Sequence, residues 1–132
     1  MYFSLVAKFA LTNSSQVYGA LGESAAVNYL ISKGYRILER NWRFKKLEVD
    51  IIASKDDVIA FVEVKTWKND TFGEPEIFVT RKKQNFLIAA ANQYLTERDL
   101  DIESRFDIVA ISDLYNKDSV KHLEGAFFPT AK

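Results

Sequence analysis

The chain has 132 residues, 48% of them hydrophobic, so it can bury one core but leaves no room for a second domain. It contains 18 basic and 18 acidic side chains, no cysteine and one histidine, which excludes disulfides, thiolate metal sites and histidine-rich metal sites. Any metal would bind carboxylate or carbonyl oxygen, which suits Mg²⁺, Mn²⁺ or Ca²⁺ better than Zn²⁺. No apolar run reaches the roughly 18 residues of a membrane span, so a cytoplasmic protein with no membrane partner is expected.

The first half of the chain predicts a helix followed by a meander. Residues 1–15 are expected to form an N-terminal segment, and 16–128 the domain itself. Apolar residues at helical spacing, Leu21 and Ile31 among them, predict a helix over 16–32. Strands are predicted over 35–44, 47–53 and 58–65, with Asp56 and Asp57 as the turn between the last two.

The second half predicts a loop, a helix and two further strands. The stretch 66–75 is polar and contains glycine and proline, as loops commonly do. A helix is expected over 80–98, with Phe86 on its packing face. Strands are expected over 105–111 and, as a short last element, over 126–128. The economical architecture is α/β, a single domain with a central mixed β-sheet flanked by α-helices.

Acidic side chains alternate with apolar ones in the strand predicted over 47–53. Because successive side chains of a strand point to opposite faces, Leu47, Val49 and Ile51 are expected on one face. Glu48 and Asp50 are then expected together on the other.

The next strand places Glu63 and Lys65 on one face by the same rule. If the two strands form a hairpin, Asp50 and Glu63 can lie close together, although pairing alone does not fix the register. Two close carboxylates repel each other unless one is protonated or a cation lies between them, and Mg²⁺ or Mn²⁺ is the simplest solution. Lys65 would then orient or activate the attacking water and stabilise charge on a phosphate, which is the chemistry of phosphodiester hydrolysis.

A plainer interpretation of the same pattern is a pair of strands with solvated polar faces, which is a common arrangement. Glu23 adds an independent observation, because helical spacing puts it on or beside the face that packs against the sheet. An acid there needs a partner. That partner would be a metal, a bridging water or Lys65, or, in the plainer interpretation, Arg36 or Arg43.

The charged residues are segregated along the chain. Basic side chains fall in two stretches: Arg36, Arg40, Arg43, Lys45 and Lys46, then Lys65, Lys68, Arg81, Lys82 and Lys83. A phosphate backbone would be bound by Arg43, Lys45, Lys46 and Lys68. The aromatic rings interleaved with them, Trp42, Phe44 and Trp67, would stack on unpaired bases. Solvated charge and core aromatics explain the same residues. His122, which has no second imidazole to support a metal site, is expected to be structural.

Several motifs in order resemble the YraN-like family of bacterial proteins, and the resemblance runs from about residue 16 to residue 128. The motifs are Gly19-Ala20-Leu21-Gly22-Glu23, Asn41-Trp42-Arg43, Glu48-Val49-Asp50, Phe61-Val62-Glu63-Val64-Lys65, Phe72-Gly73-Glu74-Pro75 and Arg105-Phe106-Asp107. That family is similar in fold to Holliday-junction resolvases and other nucleases of the PD-(D/E)XK superfamily. The resemblance therefore implies a restriction-endonuclease-like fold.

Carried over by position, the resemblance implies that Asp50 and Glu63 bind the metal, that Lys65 assists catalysis and that Glu23 completes the catalytic group. It adds Glu48, Lys83 and Gln84 as accessory positions. Two departures stand out: Val49 occupies the place of the proline in the superfamily's name, and Trp67 stands where the family often has a basic residue. The second departure weakens one potential phosphate contact, which concerns substrate binding rather than metal chemistry.

The leading hypothesis is a metal-dependent endonuclease acting on DNA, with branched or single-stranded DNA as candidate substrates. Two other classes stay open: a nucleic-acid-binding module that does not cleave, and a structural or partner-binding domain. The oligomeric state is open as well. The apolar interface of a homodimer, or the completed core of a monomer, would be supplied by phenylalanines near the two ends of the chain: Phe3, Phe9, Phe127 and Phe128.

Overall fold

The computed structural model describes residues 14–66 and 79–129. The elements are α1 (Ser14–Ser32), β1 (Arg36–Phe44), β2 (Leu47–Lys55), β3 (Val58–Thr66), α2 (Arg81–Glu97), β4 (Glu103–Ile111), a short 3₁₀ turn (Lys117–Ser119) and β5 (Val120–Phe127). Most of the predicted N-terminal segment and of the predicted loop over 66–75 lies outside the described residues, as do Phe3, Phe9, Trp67 and Lys68.

The strands form one five-stranded sheet in the order β1-β2-β3-β4-β5. The first three are an antiparallel meander, β4 lies parallel to β3, and β5 returns antiparallel to β4. Asp56 and Asp57, with φ of 51° and 64°, make the two-residue turn between β2 and β3, and positive φ at both positions is the geometry that suits a tight hairpin. The meander and this turn agree with the sequence prediction.

In the part of the chain that the structure describes, each face of the sheet carries one helix and one hydrophobic core. The α2-side core includes Phe61, Leu87 and Tyr94, and the α1-side core includes Leu30 and Val62. Burying each such side chain contributes about 1.5–3 kcal/mol. The described residues therefore form a single α/β domain with a mixed sheet between α1 and α2, consistent with the restriction-endonuclease-like fold that the family resemblance implies.

Two predictions about the helices are wrong in detail. Leu21 and Ile31, assigned to the apolar face of α1, are 47% and 54% exposed, and Phe86 on α2 is 42% exposed. Tyr94, which was not assigned to the core, is buried on α2 and packs edge-on against both Trp42 and Phe61. The side chains of α1 and α2 that reach the sheet form a narrower stripe than the sequence pattern suggests.

The last strand is far longer than the predicted element over 126–128. It covers eight residues, only the last of which is buried, so it carries little hydrophobic signal. Gly125, with φ of 63°, and a register shift between Phe106 and Ile108 interrupt its pairing with β4. An exposed, irregular edge strand of this kind shows no regular alternation in sequence.

Within residues 14–66 and 79–129, neither helix is long and apolar enough to cross a membrane.

Candidate active site

The site lies where β2 and β3 separate. Their register runs from Lys55 opposite Val58 up to Ile51 opposite Val62. One residue further along β2, the Asp50 carboxylate accepts a hydrogen bond from the Val64 backbone N–H, with Oδ2 and N 2.8 Å apart. A side-chain acceptor therefore replaces a backbone acceptor at the mouth of the hairpin.

This irregularity corrects the predicted faces of β2. Val49 belongs to the α2-side core and Ile51 to the α1-side core, although strict alternation would place both on one face. The strand changes its facing at Asp50, where the carboxylate takes the Val64 N–H. On β3 the predicted alternation holds: Val62 faces α1, and Glu63 is in contact with α2 through Lys83.

Asp50 and Glu63 form a hydrogen-bonded carboxyl pair. Glu63 is one of the two buried acidic residues in the described part of the chain, with 9% of its surface exposed. Burial first, and then the charge of Asp50, raise the pKa of Glu63 to about 7. Burial also raises the pKa of Asp50. The pair therefore holds a proton in mildly acidic solution, with protonated Glu63 donating to the Asp50 carboxylate.

A divalent cation fits this pair, because it would replace the shared proton and neutralise both carboxylates. Among the residues the structure describes, no group of three or more histidine, cysteine or acidic side chains is arranged to hold a metal ion. Asp50 and Glu63 would thus supply two oxygen ligands. Mg²⁺ and Mn²⁺ tolerate this, since such ions commonly bind one or two carboxylates and take their other ligands from water and substrate phosphates.

Two lysines face the carboxyl pair. The Nζ of Lys83, in the first turn of α2, lies 3.8 Å from Oε1 of Glu63. Lys65, two residues beyond Glu63 on β3, is half-buried. The positive charges of both lower the pKa of Glu63 and offset part of the effect of burial. The side-chain N–H₂ of Gln84, the other accessory position on α2, donates to the Val79 carbonyl oxygen at 2.9 Å, at the start of α2.

Glu23 approaches the pair from α1. It is half-buried, and burial followed by the charge of Asp50 raise its pKa. The predicted partners Arg36 and Arg43 are wrong, because Asn41 and Arg40 are the residues that stabilise the Glu23 carboxylate. Gly22 permits the close approach of α1, since a Cβ atom at this position would overlap the side chain of Thr66 on β3.

Glu48 lies at the edge of this acidic group. Its Oε1 is 3.4 Å from Nη2 of Arg43 in an exposed ion pair. Its charge raises the pKa of both Asp50 and Glu23. The structure thus brings together Asp50, Glu63, Glu23 and the two lysines, with Glu48 beside them as a more distant charge.

The predicted nucleic-acid contacts divide into two kinds. Lys45 and Lys46 are exposed at the β1–β2 turn, next to the exposed Arg43. Trp42, a candidate for stacking on bases, instead packs edge-on against Tyr94 with 5.4 Å between ring centroids. Its role as a core aromatic explains its place in the sequence, and base stacking by Trp42 is not supported.

One cluster of basic side chains and one cluster of acidic side chains lie at opposite ends of the sheet. The β1–β2 turn and the start of α2, both rich in lysine and arginine, lie at the end that carries Glu63. The acidic residues Glu97, Asp99, Asp101 and Glu103 lie at the other end, since Glu103 pairs with Val58 at the start of β3. The basic end raises the local concentration of an anionic ligand next to the carboxyl pair.

Asp107 is a buried acid that sequence reasoning did not single out for any role. Its residue surface is 1% exposed, and its carboxylate accepts two hydrogen bonds from Arg105 and one from the Gly125 N–H. His122 Nε2 lies 2.8 Å from its Oδ2. The prediction that His122 is structural is confirmed, and the Arg105-Phe106-Asp107 motif gains a structural role. The missed signal was a charged pair inside an otherwise apolar strand.

The raised pKa of Glu63 leads to a pH-dependent prediction for the metal-free protein. Its carboxyl binds a proton in the folded state up to about pH 7 but loses it near pH 4.5 when unfolded, so the free energy of unfolding should fall as pH rises through this window. Glu63→Gln removes this contribution. In urea titrations with a chelator, the variant should gain stability relative to the wild type between pH 5 and pH 8. A difference that stays constant with pH would contradict the assignment.

Comparison with known proteins gives one family. Residues 22–111 match the family described as "Uncharacterised protein family UPF0102". A UPF0102 protein of Flavobacterium psychrophilum is 44% identical over 110 residues, covering 83% of this chain and 92% of the relative. UPF0102 proteins of Flavobacterium johnsoniae and Alkaliphilus oremlandii are 45% and 43% identical, covering 83% of this chain in each case and 93% and 96% of the relatives.

Proposed function

The chain belongs to the UPF0102 family, and we propose that it is a metal-dependent endonuclease that hydrolyses phosphodiester bonds in DNA at the site formed by Asp50, Glu63 and Lys65. Membership confirms the resemblance to the YraN-like family that the sequence motifs indicate. One observation carries the proposal: a buried carboxyl group, Glu63, and a half-buried one, Asp50, both with raised pKa values, meet at the mouth of a hairpin, next to a half-buried lysine. Placing two carboxyl groups together partly away from water lowers the stability of the fold, and a purely structural role would not explain this cost.

Asp50 and Glu63 would hold Mg²⁺ or Mn²⁺, which when bound polarises a phosphoryl oxygen and lowers the pKa of water. Asp50 is already oriented for this role, because its Oδ2 is fixed by the Val64 N–H. Lys65 would place its positive charge where negative charge develops on the attacked phosphate. Glu23, with a raised pKa, would hold a proton or a water molecule at the α1 side of the pair.

The basic end of the molecule supports a polyanionic substrate. Arg81, Lys82 and Lys83 open α2, although the positive end of the helix dipole makes basic side chains unfavourable in a first turn. A bound phosphate backbone would compensate for that unfavourable arrangement. Lys45 and Lys46 extend the same positive surface across the β1–β2 turn.

Branched DNA is the substrate that would make most use of a dimer, because a symmetric junction needs paired cuts. Phe127 is part of the core and stacks on Phe106 with 5.0 Å between ring centroids. Phe128, by contrast, is 70% exposed next to the edge strand β5. We therefore include a homodimer that uses the Phe128 surface in the proposal, and the mass in solution at micromolar concentration tests it.

The proposal is tested by cleavage of matched linear, single-stranded and four-way-junction DNA with Mn²⁺. Wild type is compared with Glu63→Ala and with Glu103→Ala, a control acid at the opposite end of the sheet. We expect Glu63→Ala to lose about 100-fold or more of the cleavage rate, because half of the carboxyl pair is removed, and Glu103→Ala to cut like the wild type.

Equal cutting by wild type and Glu63→Ala would show that the activity comes from elsewhere and would overturn the proposed site. Salt-dependent DNA binding without cleavage by any of the three proteins would assign the chain to the second class, a nucleic-acid-binding module. Absence of both binding and cleavage would leave a structural or partner-binding domain.

A further inference from the structure

Asn41 occupies an unusual position on β1. The pairs on either side of it, Arg40 with Ile51 and Trp42 with Val49, place it opposite Asp50. Its φ is +50°, a left-handed conformation that residues with side chains rarely adopt within a strand. Asparagine is among the residues that tolerate this conformation best. The irregularity in β1 therefore lies directly beside the irregularity that creates the carboxyl pair.

The side chain of Asn41 interacts with the carboxylate of Glu23 on α1 and stabilises its charged form. Its neighbour Arg40 donates from Nη2 to the Ser24 hydroxyl at 3.2 Å. Two consecutive residues of β1 thus interact with two consecutive residues of α1. Of these two interactions, the one made by Asn41 is with Glu23, the acid whose pKa the charge of Asp50 raises.

We propose that Asn41 is a positioning residue that holds the Glu23 carboxylate against Asp50 and so fixes the α1 side of the active site. The inference rests on the proposed nuclease function, because the position of Glu23 matters for rate only if the site is catalytic. Asn41 itself acts through Glu23 and touches no reacting atom.

The left-handed backbone of Asn41 and its side-chain contact with Glu23 are two separate features, and a substitution can remove one while keeping the other. A left-handed residue is satisfied at least as well by glycine as by asparagine, so a purely conformational role predicts that Asn41→Gly is harmless. Glycine cannot bond to Glu23. A positioning role therefore predicts a well-folded Asn41→Gly protein with a slow chemical step.

The experiment measures kcat with Mn²⁺ on the best substrate of the panel for wild type, Asn41→Gly, Glu23→Gln and the double variant. We expect Asn41→Gly to lower kcat on the order of 10- to 100-fold, as is typical of residues that orient the side chains of a site without contacting the substrate, with KM nearly unchanged. In the Glu23→Gln background the same change should have no further effect, because its target is already gone. Ser24→Ala, which removes only the contact with Arg40, is the matched control and should keep the wild-type rate.

Three outcomes overturn the inference while the nuclease proposal stands. The first is a wild-type kcat in Asn41→Gly. The second is the same fold loss in kcat from Asn41→Gly in the wild-type and Glu23→Gln backgrounds. The third is full additivity of the melting-temperature shifts of the two single variants in the double variant, which would show that the contact is not made in solution. A wild-type protein that does not cleave would overturn the proposed function itself and this inference with it.

Discussion

Replacing Asp107 with alanine is expected to lower the free energy of unfolding by about 3–5 kcal/mol, the typical cost of breaking a buried ion pair by removing one partner. Arg105 and His122, whose side chains are 24% and 5% exposed, would lose their common acceptor. The Gly125 N–H would lose its acceptor as well. This cluster joins β4 to β5, so its loss should loosen the edge strand first.

The pKa of Asp107 indicates how well the cluster compensates for burial. Burial alone raises the pKa, but hydrogen bonds from His122, Arg105 and the Gly125 N–H more than offset this and hold the pKa below its usual 3.8. A carboxylate with a lowered pKa stabilises the fold above pH 3.8, and this stabilisation is lost as pH falls below that value. The cluster should therefore be fully formed at neutral pH.

Urea unfolding of Asp107→Ala at pH 7, beside wild type and Asp101→Ala, tests this expectation. Asp101 is exposed at the acidic end of the molecule, and its replacement should change stability by no more than about 0.5 kcal/mol. Asp107→Asn keeps the size of the side chain and gives a second measurement if the alanine variant does not fold. A cost below about 1 kcal/mol for both Asp107 variants would show that the cluster adds little to stability.

The hairpin and its carboxyl pair could be predicted from the sequence because their signals are local. Asp56 and Asp57 mark the turn, and alternation in β3 places Glu63 and Lys65 on one face. What alternation could not give is the change of facing at Asp50. That change depends on a contact between a side chain and the backbone of Val64, 14 residues away in sequence.

The residues that sequence reasoning missed depend on contacts between distant elements. Asp107 finds its partners on β5, and Asn41 reaches Glu23 on α1. Nothing in the sequence near Asn41 shows its positive φ, since asparagine also occurs in ordinary turns. Tyr94 was missed because its polar end makes it a poor marker of a core, although its ring packs between Trp42 and Phe61.

Replacing Lys65 with alanine is expected to separate catalysis from metal binding. The carboxyl pair stays intact in this variant, so Mn²⁺ should still raise the melting temperature, as any ligand of the folded state does. Cleavage should fall about 100- to 1000-fold, the loss typical of removing one charge-stabilising group from an active site. Loss of the positive charge next to Glu63 should strengthen Mn²⁺ binding rather than weaken it, because a nearby lysine repels the cation.

Two further variants complete this test. Lys65→Arg keeps the charge but changes its position, and should recover part of the rate. Lys55→Ala removes a lysine at the far end of the same hairpin, opposite Val58, and should cut like the wild type when rates are compared per folded molecule. Wild-type cleavage by Lys65→Ala would move the charge-stabilising role to Lys83, whose Nζ is 3.8 Å from Glu63. Loss of the Mn²⁺ shift would instead make Lys65 part of the framework that holds the carboxyl pair, because only a disordered pair would stop binding the cation.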